Sequence, residues 1–149
     1  MIPRLTQNEI TRRRRQLVQT SDADLIVLAN PRHIYYYSGF IASELSLASW
    51  GPAYLVIAPD ATATLLVHNF ARAAASHAAV DDVRTWTFYD TAYHPGVPIW
   101  REGARHIGAL VSQRLTGGGT MRVGIEDGVL PMGVLPADVQ TVDLTDAIL

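Results

Sequence analysis

The sequence predicts an α/β domain with a mixed sheet of five to six strands flanked by helices. Short apolar or β-branched runs alternate with segments of helical period along the 149 residues. "AYLVIA" (53–58) and "ATLLV" (63–67) are separated only by a turn at Pro59 and Asp60, which makes them a hairpin. "DLIVLA" (24–29) is apolar without alternation, the pattern of a central strand covered on both faces. A hairpin among strands otherwise linked through helices makes the sheet mixed.

The elements follow in order. Thr6 and Glu9 have the spacing of a capping box, so a helix is expected to run from there to about Gln19 with Ile10, Leu17 and Val18 on one face. Arg12 to Arg15 cover a full turn of it, and their plain reading is a solvated face, with an anionic partner as the alternative. After the strand 24–29, Asn30 can cap and Pro31 suits the first helical position, so "PRHIYYY" reads as a short helix stopped by Gly39. Beyond the hairpin, Asn69 is expected to open an alanine-rich helix, "FARAAASHA". "VRTWTF" (83–88) is a strand by composition, and 98–115 is helical by period, with Ile99, Ile107, Leu110, Val111 and Leu115 buried. Gly117 to Gly119 form a flexible connection to the strand "MRVGIE" (121–126). "QTVDL" (140–144) is a last short strand, and Thr145 caps a helix that hardly begins. The acidic pairs Asp81–Asp82 and Asp22/Asp24 precede strands and are read as caps or turns.

Composition excludes several function classes. One domain accounts for 1–149, and no window reaches the apolar length of a membrane span. The first residues carry no signal-peptide core, so a cytoplasmic protein is expected. Cysteine is absent, which removes disulfides, thiolate metal sites and cysteine nucleophiles. With 12 basic residues, all arginine, against 14 acidic, the net charge of −2 gives no general footprint for nucleic acid.

The search for catalytic motifs is equally short. The five histidines and four glutamates lack the H-E-x-x-H spacing; Glu102 and His106 share a helix face but read as a surface pair. The triple glycine precedes a strand rather than a helix, and there is no Gly-x-Ser-x-Gly elbow. No catalytic and no metal residue is assigned. Tyr35, Tyr36 and Tyr37 occupy successive helical positions, so at least one enters the core and another reaches the surface. Trp50 is either a core plug or an interface anchor.

Taken together, "RRRRQL", "DLIVLANPRHIYYYSGF", "GPAYLVIAPD", "RVGIEDGVLP" and "VDLTDAIL" resemble, in that order, the amino-terminal domain of the creatinase, prolidase and Xaa-Pro aminopeptidase (M24 metallopeptidase) family. The resemblance implies a ribonuclease H-like domain that is not itself catalytic. The pair of divalent metals (Mn, Co or Zn) belongs to a separate "pita-bread" domain, none of whose ligands maps onto this chain. It further implies a homodimer and a small peptide or amide substrate, while the charge and hydropathy above lead to the expectation of no nucleic acid and no membrane. The domain would help form the dimer and shape the active-site entrance. In such relatives the segment after the tyrosine signature faces substrate, which makes Phe40, Glu44 and Trp50 substrate-facing candidates; Tyr36 joins them on the alternative reading of the tyrosines as the wall of a binding cleft. The alternative is a stand-alone small-molecule binding or scaffold module that keeps the fold without catalysis.

Overall fold

The computed structural model describes residues 5–41, 53–86, 99–115, 119–126 and 134–148, the side chains of 99–102 excepted. In chain order the described elements are α1 (Gln7–Thr20), β1 (Leu25–Leu28), α2 (Pro31–Ser38), β2 (Tyr54–Ile57), β3 (Ala63–His68), a 3₁₀ turn at Asn69–Ala71, α3 (Arg72–Ala75), β4 (Asp82–Trp86), α4 (Ile99–Arg114), β5 (Met121–Ile125), β6 (Val139–Asp143) and α5 (Thr145–Ile148). The six strands make one sheet of order β4-β3-β2-β1-β5-β6. β2 is antiparallel to β1 and β3, whereas β1–β5, β5–β6 and β3–β4 are parallel. The sheet is mixed, as expected, and the carboxyl ends of β1, β3, β4, β5 and β6 lie along the same edge.

β1 is interior and fully buried, in keeping with its unbroken apolar run. Alternate strand residues serve opposite faces of the sheet. Ile26, Leu28, Leu55, Ile57, Leu65 and Val67 pack with Leu17, Ile34, Tyr37 and Ala75 from α1, α2 and α3. Leu25, Val27, Tyr54, Val56, Leu66 and Trp86 pack with Ile107, Leu110 and Val111 from α4. The domain is therefore a three-layer α/β/α arrangement. Each fully buried aliphatic side chain of these two cores contributes about 1.5–3 kcal/mol.

The hairpin forms as predicted, with Ala58 N–H donating to Thr62 O and Ala61 N–H to Ala58 O, both at 2.9 Å. Asp60 Oδ1 accepts from the backbone and hydroxyl of Thr62, and these bonds hold its carboxyl below the usual value.

Four local expectations are corrected. Thr6 caps α1 by accepting from Glu9 N–H at 3.2 Å, but Glu9 turns its carboxylate to Arg13 instead of closing the box. Arg14 is not solvated: it is buried and donates to Ala79 O at 2.6 Å, with Asp81 at 3.7 Å. Burial lowers its pKa and Asp81 opposes that shift. Asp81 and Asp24 tie strand starts rather than local turns, accepting from Ala63 N–H (2.7 Å), the first amide of β3, and Arg122 N–H (2.8 Å), the second of β5, because each amide needs an acceptor. The alanine-rich helix is only Arg72–Ala75. His77 N–H and Ala78 N–H bond three residues back, and Ala79 N–H crosses to Ser38 O at 2.7 Å, which ends it.

Gly39 closes α2 with φ +69, and a Cβ there would stand 3.3 Å from Ile10 Cδ1. Gly39→Ala is expected to lose about 1–2 kcal/mol, the cost of the left-handed region for an L-residue. A shift of the urea midpoint with unchanged slope would report it.

Candidate functional site

The segment 30–40 is organised from both ends. Asn30 Oδ1 accepts from Arg32 N–H at 3.0 Å and Pro31 is the first helical residue, as the sequence reading anticipates. From across the sheet, Glu126, the residue after β5, lays its carboxylate over the start of α2. Its Oε2 accepts from Ala29 N–H (2.6 Å) and Asn30 N–H (2.9 Å), and its Oε1 bonds the ring Nδ1 of His33. Negative charge at a helix start is favourable because the free amides there carry partial positive charge. Sequence reading missed this role, since Glu126 stands 97 residues from Ala29 and nothing local marks it.

The three tyrosines divide as expected. Tyr37 is in the core, Tyr35 is half-buried, and Tyr36 is 46% exposed. Tyr36 and Tyr37 meet edge to face, with ring centroids 4.9 Å apart at 83°. The Arg13 guanidinium lies 4.0 Å from the Tyr36 ring centre and donates to Tyr36 O at 3.3 Å, so α1 braces the exposed ring. Burial pushes the Tyr37 hydroxyl pKa up, Tyr36 adds to this, and Arg13 works against it.

Beside Tyr36 runs an open groove of about 630 Å³ between α1, α2 and α5, lined among others by Arg13, Tyr36, Asp143, Asp146 and Ile148. An aromatic face, a guanidinium and carboxylates suit it to hold a polar ligand or a partner's side chain. Among the described residues no group of three histidines or acidic side chains is placed to hold a metal ion. The described residues therefore offer no set of ligands for the metal pair that the resemblance places in a separate domain.

Of the other candidates, Phe40 is 2% exposed and packs in the core beneath α2, with its amide donating to Ser38 Oγ at 3.1 Å. Glu44 and Trp50 lie outside the described residues, as does the Glu102 side chain. His106 is exposed and stacks on Trp86 at 6.4 Å and 28°. Among the described residues no helix is long and apolar enough to cross a membrane.

The fold is shared with solved structures of low identity. The chain is similar to the N-terminal domain of Xaa-Pro dipeptidase from Lactobacillus brevis, with 19% identity and a TM-score of 0.60 over 94% of this chain and 97% of that one. It is similar to the N-terminal domain of cytoplasmic peptidase PepQ from Mycobacterium tuberculosis H37Rv at 19% identity and TM-score 0.63, covering 92% and 95%. Against the recombinant prolidase from Thermococcus sibiricus the identity is 13% and the TM-score 0.66, over 97% of this chain but 36% of that one. No curated protein matches the chain. The model for the Creatinase/Prolidase N-terminal domain matches residues 11–147, and the chain belongs to that family.

Proposed function

We propose that this chain is the non-catalytic amino-terminal domain of a metal-dependent Xaa-Pro peptidase-like hydrolase, and that it contributes to dimerisation and shapes the active-site entrance. The observation that carries the reading is the pairing of a family match over 11–147 with a fold that fills isolated dipeptidase domains but spans about a third of a whole prolidase. The metals would be held by residues outside this chain. Tyr36, exposed yet braced by Arg13, is the described side chain best presented to a partner, because a rigid aromatic loses little freedom on binding. We also propose cytoplasmic residence, by likeness to the domain of the cytoplasmic peptidase PepQ from M. tuberculosis.

The test begins with the native polypeptide, detected by immunoblot in its source cell. A band above twice 16.3 kDa whose Xaa-Pro hydrolysis is abolished by a chelator is the expected result. A native band at 16.3 kDa, or hydrolysis by the isolated chain with added Mn²⁺ or Co²⁺, overturns it. In the native protein, Tyr36→Ala should weaken dimerisation about tenfold, the size of a modest interface anchor, by analytical ultracentrifugation. The groove beside Tyr36 favours the second reading, a stand-alone binding module. That reading fails if tryptophan fluorescence is unchanged across a panel of dipeptides and amino-acid amides.

A further inference from the structure

The far end of the same sheet edge holds a polar pair that the reading above does not use. His68 is the last residue of β3 and stands in register with Trp86, the last residue of β4. His68 is 3% exposed, and neither of its ring nitrogens has a hydrogen-bond partner among the described residues; the indole Nε1 of Trp86 is buried and unpartnered too. The His68 ring meets Trp86 edge-on at 6.2 Å and 73°, and Phe70 at 6.1 Å. On its other side Trp86 is held by His106 and by the close approach of Gly103, where a Cβ would stand 3.1 Å from the indole.

We infer that His68 is an acid-operated latch: protonation of its ring opens the carboxyl ends of β3 and β4 and frees the edge strand β4. The chemistry starts from an unmet demand. A neutral imidazole seeks one acceptor and one donor, and among the described residues it has neither. The imidazolium seeks two acceptors and carries a charge as well, so burial with no counter-ion among the described residues disfavours it far more. Among the described side chains, the titratable groups on the elements packed around β3 and β4 are Tyr54 on β2, Asp82 and Arg84 on β4, Arg72 on α3, and Arg105, His106 and Arg114 on α4. None bonds either ring nitrogen. Asp82 is occupied with Arg84 at 2.9 Å, and burial pushes the Tyr54 hydroxyl up to about 12, so neither serves as a counter-charge.

The opening is local because of where the pair sits. Among the described residues β4 is an edge strand that pairs only with β3, and four of its five residues are exposed or half-buried. Releasing its end uncovers Trp86 and breaks pairing with β3 alone, whereas releasing β1 would break pairing on both of its sides. The direction of the pH effect follows from linkage. Burial lowers the closed-state pKa of His68 below its ordinary value, which the ring regains once it is open. The open form therefore binds more protons as pH falls below about 6.5, and the closed form is fully stable only above that value.

Amide hydrogen exchange at pH 7.5 and 5.5, corrected for intrinsic rates, tests this residue by residue. The opening constants of the β4 amides and of Leu66 to His68 should rise by up to about tenfold for each pH unit below about 6.5, while those of β1 and β5 stay flat. His68→Gln and His68→Leu should each abolish the rise, and His106→Gln should leave it in place. Flat β4 protection in the wild-type chain overturns the proposal, as does an unchanged rise in either His68 variant. Should neither variant fold, an imidazole NMR titration of the wild-type chain decides. A His68 pKa at its ordinary value overturns the latch, and a depressed one upholds it.

Discussion

Glu126→Ala should lower the stability of the domain by about 3–4 kcal/mol, about 10 °C in melting temperature for a chain of this size. The carboxylate accepts two main-chain amides, Ala29 N–H and Asn30 N–H, at the point where β1 passes into α2, and it also bonds His33. Each hydrogen bond to a charged acceptor is worth about 1.5–3 kcal/mol, and truncation to a methyl group leaves both amides without one. Glu126→Gln keeps the shape and one good acceptor, so about half the loss is expected. Thermal unfolding of both variants measures it. A loss below about 1 kcal/mol for Glu126→Ala would mean that water replaces the carboxylate at no cost, and the reading of Glu126 as the anchor of α2 would fall.

The second large effect is expected at Gly108 in α4. Helix propensity alone favours Gly108→Ala by about 1 kcal/mol. The packing opposes it, because a Cβ there would stand 2.5 Å from the carbonyl oxygen of Val134. That neighbour is backbone and cannot rotate away, so either α4 or the segment around Val134 must move, at a cost of about 2–3 kcal/mol. The steric cost wins, and a net loss of about 1–2 kcal/mol follows. Chemical denaturation settles the sign. A stabilised variant would show that the segment yields freely.

What could be read from the sequence was whatever depends on neighbours along the chain. β1, the hairpin and α4 declared themselves through runs and periods, and Asn30, Pro31 and Gly39 through the backbone positions that favour them. Side-chain destinations set by distant partners could not be read. Arg14 looks like its three neighbours until Ala79 O, 65 residues away, claims its guanidinium. Glu126 is one carboxylate among fourteen acidic residues until the β1–β5 pairing brings it to the start of α2. His68 ends an apolar strand in a position that gives no sign that its ring nitrogens lack partners among the described residues. At the candidate site, Tyr36 reached the surface as helical geometry requires. Phe40, one residue past Gly39, turned into the core, which no periodicity predicts once a helix has ended.

The position of β1 has a consequence during synthesis. On one side it pairs with β2, and on the other with β5, which the ribosome makes about a hundred residues after it. By the time Trp86 has emerged, β4, β3, β2 and β1 can already zip together, and "LIVL" then forms an uncovered apolar margin. Some forty further residues must be added before β5 covers it, roughly 2–8 s at ordinary elongation rates. For those seconds the nascent chain carries an open adhesive seam. Its yield in a cell therefore depends on how fast translation crosses 87–125 and on whether a chaperone shields the seam meanwhile.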